Sequence, residues 1–395
     1  MAGRRRERGW PADPDPLPVP VVDNHTHLDA IGPFAAQVTD RVPDDAGELV
    51  ERPIPVPSVE DVVARAAAVG VDRMVQVGCD LDAVRWTDAL LSAGPADGDA
   101  TSADGDVGSA DGDVSRPERG SEGRISSPSA RGASPSARGA SPSARGASPS
   151  AVGIRTVAAA VLGAVAIHPN ESVLHALGLR PAPGDLEVGP DGLTPEPEAR
   201  HAVGLDDAIA EVAAVARANE RVRAIGETGM DLFRTGPRGA KVQREAFRAH
   251  VALAKELGLA MQIHDRDAHA QVLDVLARDG APERTVFHCY SGDAEMARFC
   301  AAQGWYLSFA GPVGFRANDE LRAALRAVPL DQVLVETDAP YLTPHPYRGR
   351  PNAPYLVPYT VRTVAEVLGR SLEDVCRAVS RNAEQVYGGW PGAPA

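Results

Sequence analysis

The sequence predicts an α/β protein built as a single (β/α)8 barrel, and three observations carry that prediction. Eight short apolar runs, most rich in β-branched residues, recur at residues 19–22, 73–77, 156–167, 223–225, 260–263, 285–287, 305–309 and 333–335. Most of them are followed by a segment of helical period, the alternation that builds a parallel sheet with helices outside it. Side chains able to bind metal stand at the ends of many runs, and in a parallel barrel all those ends open on one face. An open doubly wound sheet shares the periodicity; the placement of the polar residues favours the barrel.

In chain order, residues 1–18 are expected to be a flexible tail, since the basic start is followed by a Pro-rich stretch and by no apolar core of a secretory signal. The barrel domain is expected over residues 19–93 and 151–390. Its first strand runs into Asp23-Asn24-His25-Thr26-His27, and a long loop over about residues 30–57 is expected to form part of the rim. Ser58 caps the helix SVEDVVARAAAVG, which leads to the second strand. Residues 94–150 hold ADGD repeats, starting at Ala96, Ala103 and Ala110, and the heptad SPSARGA, starting at Ser127. With almost no large apolar residue to bury, this insert is expected to be disordered. The DGD units lack the ligand ladder of an EF-hand loop. A second insert, residues 178–202, is rich in Pro, Gly and acids and is expected to be a surface loop. Helices follow at DDAIAEVAAVARANE, QREAFRAHVALAKELG, DAHAQVLDVLARDG and NDELRAALRAV.

Composition narrows the function. Hydrophobic residues at 44% beside 24% charged are a globular balance, and no apolar run is long enough for a bilayer. The four cysteines, Cys79, Cys289, Cys300 and Cys376, are widely separated, which argues against a disulfide framework or thiolate zinc site and fits a reducing cytoplasm. A net charge of −14 disfavours a broad basic surface for nucleic acid but leaves room for a local cationic pocket or a bound metal.

The candidate chemistry lies at the strand ends: His25 and His27, Glu227, His264, His288, and Glu336-Thr337-Asp338. Two residues apart on a strand, the imidazoles of His25 and His27 point to one side, as chelation of one cation requires. Each histidine taken alone also fits a hydrogen-bonded core role, and Glu227 and Asp338 also fit helix caps; their joint placement at strand ends favours the metal.

These residues resemble those of the TatD-type metal-dependent deoxyribonucleases, within the amidohydrolase-like barrels. The motifs are DNHTHL at Asp23, AIHP at Ala166, GETGMD at Gly226, HDRDA at His264, HCYSG at His288, LSFAG at Leu307, ETDAPYL at Glu336 and PYRGRPNAP at Pro346. Asn24, Thr26, Asn170 and Ala353 depart from the family pattern, none at an expected ligand.

The resemblance implies two divalent ions, magnesium, manganese or zinc. His25, His27, Glu227 and Asp338 would hold the first, and Glu227, His264 and His288 the second, with Glu227 bridging and Asp338 taking a proton from the attacking water. Arg266 and His168 are candidate phosphate contacts, against a salt bridge for the arginine and ligand orientation for the histidine. Arg348, Arg350 and Asn352 lie in a Pro-rich loop placed to meet a substrate backbone, or are plain loop structure. Tyr290 and Tyr341 could stack on bases or pack in the core. The implied activity is a cytoplasmic deoxyribonuclease trimming single strands of DNA from the 3′ end, with no membrane and no obligate protein partner. Alternatives are an amide or ester hydrolase, acyl-tRNA deacylation included, and a non-catalytic adaptor scaffold.

Overall fold

The computed structural model describes residues 8–43, 48–93, 157–182 and 184–390. The expected insert at 94–150 lies outside the described residues.

Eight parallel strands form the barrel wall. The first, β1 (Val21–Thr26), is followed by helix α1 (Leu28–Ala35) and by an antiparallel hairpin of β2 (Thr39–Pro43) and β3 (Leu49–Pro53). Next come α2 (Val59–Ala68), β4 (Val71–Gly78), α3 (Leu81–Ser92), β5 (Val161–Val165), α4 (Pro169–Leu177) and α5 (Leu205–Ala218). The remainder alternates as β6 (Val222–Asp231), α6 (Pro237–Leu257), β7 (Ala260–Arg266), α7 (His269–Asp279), β8 (Thr285–Phe287), α8 (Ala294–Ala302), β9 (Tyr306–Phe309), α9 (Asp319–Ala327) and β10 (Val333–Val335). Helices α10 (Val357–Leu368) and α11 (Leu372–Tyr387) complete the described fold. The strands neighbour one another in the order β1-β4-β5-β6-β7-β8-β9-β10. The stretch 156–167 yields a shorter strand than the apolar run suggests, because residues 157–160 are helical.

Strands covered on both faces read as continuous apolar runs. Their outer side packs on the helices in one large core that includes Met74, Ile225, Phe247, Ile263 and Phe309. Val22, Val75, Val77, Leu162, Ala224, Val286 and Leu334 form a second core together with Ala383, Val386, Tyr387 and Trp390, so the end of α11 and the residues after it join the inner packing of the strands.

Two register shifts prepare the functional face. Between Asp23 and Thr26, β1 carries one residue more than its partner, since Asp23 pairs with Met74 and Thr26 with Gln76. Between Ile225 and Thr228, β6 does the same against Met261 and Ile263. One extra residue reverses which face later side chains point to, so His25 and Glu227 sit where the strands change sides. Gly226 and Gly229 are required there: a Cβ on Gly226 would lie 2.6 Å from Gln262 Cβ, and one on Gly229, at φ +144°, 2.0 Å from the His264 carbonyl oxygen.

Residues 8–18 depart from the flexible tail expected there. The N–H groups of Arg8 and Gly9 donate to Asp40, Arg65 donates to Pro11 and Asp13, and the Leu17 N–H donates to Val69. Trp10 and the buried Leu17 pack on the core, which gives the segment enough to bury to stay in place.

Candidate metal centre

The strand ends bring His25, His27, Glu227, His264, His288 and Asp338 into one cluster. Glu227 lies at its middle. Its Oε2 is 3.6 Å from His25 Nε2 and 3.8 Å from His27 Nε2, while its Oε1 is 2.5 Å from His264 Nδ1 and 2.9 Å from His288 Nε2. Asp338 Oδ1 faces the same two histidines from the other side, 3.8 Å from His25 Nε2 and 3.4 Å from His27 Nε2. The ligand atoms of His25, His27 and Glu227 fall within 4.8 Å of one another, and so do those of Glu227, His264 and His288.

The far nitrogens of two rings are tied. His27 Nδ1 lies 3.0 Å from the Val77 carbonyl, and His288 Nδ1 lies 3.3 Å from Glu336 Oε1. An acceptor on one nitrogen holds the ring proton there and turns the other nitrogen's lone pair into the cluster, as metal-binding imidazoles require. Glu336 is fixed behind His288 by the Cys289 N–H, the Ser308 hydroxyl and the Asn24 amide. His25 is fully buried, and among the described residues neither of its ring nitrogens has a hydrogen-bond partner. An orphaned Nε2 beside two carboxylates fits a cation and fits little else.

The electrostatics agree. Burial would raise Glu227, yet His288, His168 and His264 hold it well below the usual carboxylate range. Burial opposes charge on His288 and His27 too, but Glu227 beside the first and Asp338 beside the second push both rings well above the usual imidazole value. The carboxylates therefore demand positive charge among them, which protons on the rings or divalent ions supply. The mixed imidazole and carboxylate donors suit zinc, manganese or magnesium.

Around this centre, His168 Nε2 lies 3.5 Å from Glu227 Oε1, and its Nδ1 accepts the Asn170 N–H at the start of α4. Arg266 stacks on Phe233 with 4.1 Å from its Cζ to the ring centroid, and forms no salt bridge among the described residues. Arg348 is exposed over Phe315, 4.9 Å from that ring's centroid. Tyr341 is 43% exposed and meets His27 and Phe34 edge-on, at 6.2 Å from each.

Three residues take the structural role that the sequence left open beside a substrate contact. Asn352 is fully buried, and its amide donates to the Thr337 and Tyr341 carbonyls, so it shapes the loop after Asp338 and is closed to substrate. Arg350 donates to the Gly9 and Trp10 carbonyls and fastens the amino-terminal segment. Tyr290 is buried against Phe309, with its hydroxyl donating to the Asp293 carbonyl. Sequence reasoning passes over Asp231 and the position of Glu336; GETGMD contains the first, and its acid closing a strand was the available signal.

A sequence model of the family described as TatD related DNase matches residues 22–388. The chain is 51% identical over 178 residues to a protein of Mycobacterium tuberculosis described as the uncharacterized metal-dependent hydrolase TatD, covering 44% of this chain and 67% of that one. It is 39% identical over 171 residues to the uncharacterized metal-dependent hydrolase YabD of Bacillus subtilis, covering 43% and 67%. The aligned stretch thus spans about two thirds of either relative. Among solved structures, the TatD homolog YJJV from Escherichia coli matches with a TM-score of 0.59 at 17% identity, over 93% of this chain and 98% of that one. A TatD family hydrolase from Entamoeba histolytica matches with a TM-score of 0.59 at 13% identity, over 94% and 99%. At these identities the likeness shows the fold.

Proposed function

The chain belongs to the TatD related DNase family and is a metal-dependent hydrolase, and from that premise we propose that it cleaves phosphodiester bonds of DNA, trimming single strands from the 3′ end. In this reading His25, His27, Glu227 and Asp338 hold one divalent ion, and Glu227, His264 and His288 hold a second. The observation that carries the reading is His25, whose buried Nε2, without a hydrogen-bond partner among the described residues, faces a bridging carboxylate and a second acid.

Two bound cations would activate a water and neutralise the leaving oxygen of an in-line phosphoryl displacement. Asp338 accepts the proton of that water; the histidines around it hold its carboxyl below the usual range against the effect of burial, so it is ionised at neutral pH. The Asn170 N–H occupies His168 Nδ1, which leaves the proton on Nε2 to be donated to a phosphoryl oxygen. Arg266, flat on Phe233 and without a salt-bridge partner among the described residues, offers its planar fork to a phosphate. Tyr341 supplies an exposed ring for a base near the substrate end.

The test is turnover of the purified full chain with manganese or magnesium on single-stranded DNA, beside an ester substrate. Release of mononucleotides from 3′ ends that stops on chelation supports the reading. Ester hydrolysis with DNA untouched overturns it.

A further inference from the structure

We propose that Asp231, gripped by Asn170, is a positioning residue that decides which nitrogen of His264 faces Glu227 and His288, while the backbone N–H of Asn170, a donor instead of an acceptor, sets the tautomer of His168. The proposal rests on Glu227, His264 and His288 forming one ion site; it does not depend on DNA being the substrate.

His264 stands between two carboxylates. Its Nδ1 is 2.5 Å from Glu227 Oε1 and 3.4 Å from His288 Nε2, and its buried Nε2, which makes no hydrogen bond among the described residues, has Asp231 Oδ2 at an ion-pair distance of 3.4 Å. Asp231 is 1% exposed and well supplied with donors: the N–H groups of Phe233 and Arg234 reach Oδ1 at 3.1 Å each, and the Asn170 amide reaches Oδ2 at 3.0 Å. Three donors hold the carboxylate as an anion, so the atom it turns to His264 Nε2 is an acceptor. An anion that close to the otherwise unpartnered Nε2 favours the ring proton there and leaves the Nδ1 lone pair facing Glu227 and His288.

The grip is itself determined. Fully buried Gln243 donates from Nε2 to Asn170 Oδ1 at 3.1 Å and accepts the Asp231 N–H on Oε1 at 2.9 Å. The Asn170 oxygen therefore points to Gln243 and its NH2 to Asp231. The backbone N–H of the same Asn170 donates to His168 Nδ1 at 3.1 Å, which puts the His168 proton on Nε2, 3.5 Å from Glu227 Oε1. The Gln243–Asn170–Asp231 chain and the Asn170 backbone thus meet two rings that converge on one carboxylate oxygen. His27 and His288 obey the same rule with the Val77 carbonyl and Glu336 in place of Asp231.

The full-length chain, stripped of metal, is titrated calorimetrically with Mn²⁺, and the ring nitrogens of metal-free 15N-histidine protein are read by NMR, with His264→Gln assigning the resonance. Asp231→Asn should weaken one ion by about 10- to 100-fold, leave the other unchanged, and turn His264 from the Nε2–H form to a mixture. Asn170→Ser, which keeps the carboxylate but loosens it, should give a smaller loss in the same ion. His288→Ala should weaken that same ion, which establishes the site independently of Asp231. Unchanged affinity with an unchanged tautomer in both Asp231→Asn and Asn170→Ser overturns the proposal. Loss of one ion in Asp231→Asn with two others still bound also overturns it, because Asp231 would then be a ligand of an ion held with His168 and His264. If His288→Ala binds every ion as tightly as the parent, the ion-site reading itself fails.

Discussion

Thr337 holds Asp23 twice, with its hydroxyl on Oδ2 at 2.5 Å and its N–H on Oδ1 at 2.9 Å, and so joins the end of β10 to β1. No continuous ladder links those two strands among the described residues; an isolated bridge between Thr26 and Ala339 and the bonds from Asp338 N–H to His25 and His27 N–H to Ala339 complete the seam. The bonds that close the barrel are thus interleaved with His25, His27 and Asp338.

Thr337→Val keeps the shape and deletes one donor from the buried Asp23 carboxyl. Leaving a buried acceptor short costs about 1–3 kcal/mol, and Tm should fall accordingly. Because the seam carries Asp338 and His25, metal affinity should fall with it. Thermal unfolding and metal titration on one preparation check this; an unaltered Tm would mean that the remaining bonds of the seam close the barrel without this hydroxyl.

Glu227 touches both halves of the cluster, so Glu227→Ala should lose both ions, whereas His288→Ala should weaken chiefly the one shared with His264. Elemental analysis of dialysed protein decides. Two ions per chain in Glu227→Ala would remove its bridging role.

Asp338→Asn preserves shape and much of the contact with a cation but takes no proton at neutral pH. Turnover on single-stranded DNA should collapse, by about 10²-fold or more, while metal content falls only in part. A variant that holds metal and keeps its rate would take Asp338 out of proton transfer.

The eight strands were legible because each is covered on both faces and stays apolar along its length. The acids and imidazoles that end them were legible because they interrupt those runs. The hairpin of β2 and β3 was not: TDRVP and LVERP lie on the rim, half-buried to exposed, and carry no apolar run. Asn352 resembles a substrate contact in sequence, since an amide that serves buried carbonyls is spelled like one that serves a ligand. Asp231 and Asn170 escape for a different reason. Their pairing spans 61 residues and depends on how α4 packs against β6 and α6, which no local period encodes.

At the rim, Arg200 of the second insert is buried among carboxylates. It lies 2.7 Å from both Glu171 and Glu198, and His201 Nε2 adds a contact to Glu171 at 2.9 Å. Burial would raise the Glu171 carboxyl, but His201 and Arg200 hold it at about 2 against an ordinary 4.5. A carboxylate depressed in the folded state contributes stability above its unfolded pKa and loses it as pH falls towards the folded one. On the order of 3 kcal/mol should therefore fade between about pH 4.5 and 2. Glu171→Gln should be less stable at pH 7 and show a flatter decline of Tm in acid. Parallel Tm curves for the two proteins would show that this ion pair adds nothing.

The repeat segment at residues 94–150 should be dispensable for chemistry. Strand β4 ends at Gly78 on the ligand face, α3 returns from it to Ser92, and β5 begins at Val161, so the described residues on either side of the segment lie at the opposite end of the barrel. Connections there bear on stability, and the chemistry lies at the other end. The repeats hold too few large apolar residues to dock strongly. Shortening the loop also changes little, since each doubling of a flexible loop costs only about 0.6 kcal/mol. Replacing residues 94–150 with a short Gly/Ser linker should leave metal content, Tm and turnover on single-stranded DNA close to those of the parent. A Tm lower by more than a few degrees would mean that the segment packs on the barrel, and unchanged Tm with lost turnover would make it part of substrate binding and revive the adaptor role for the repeats.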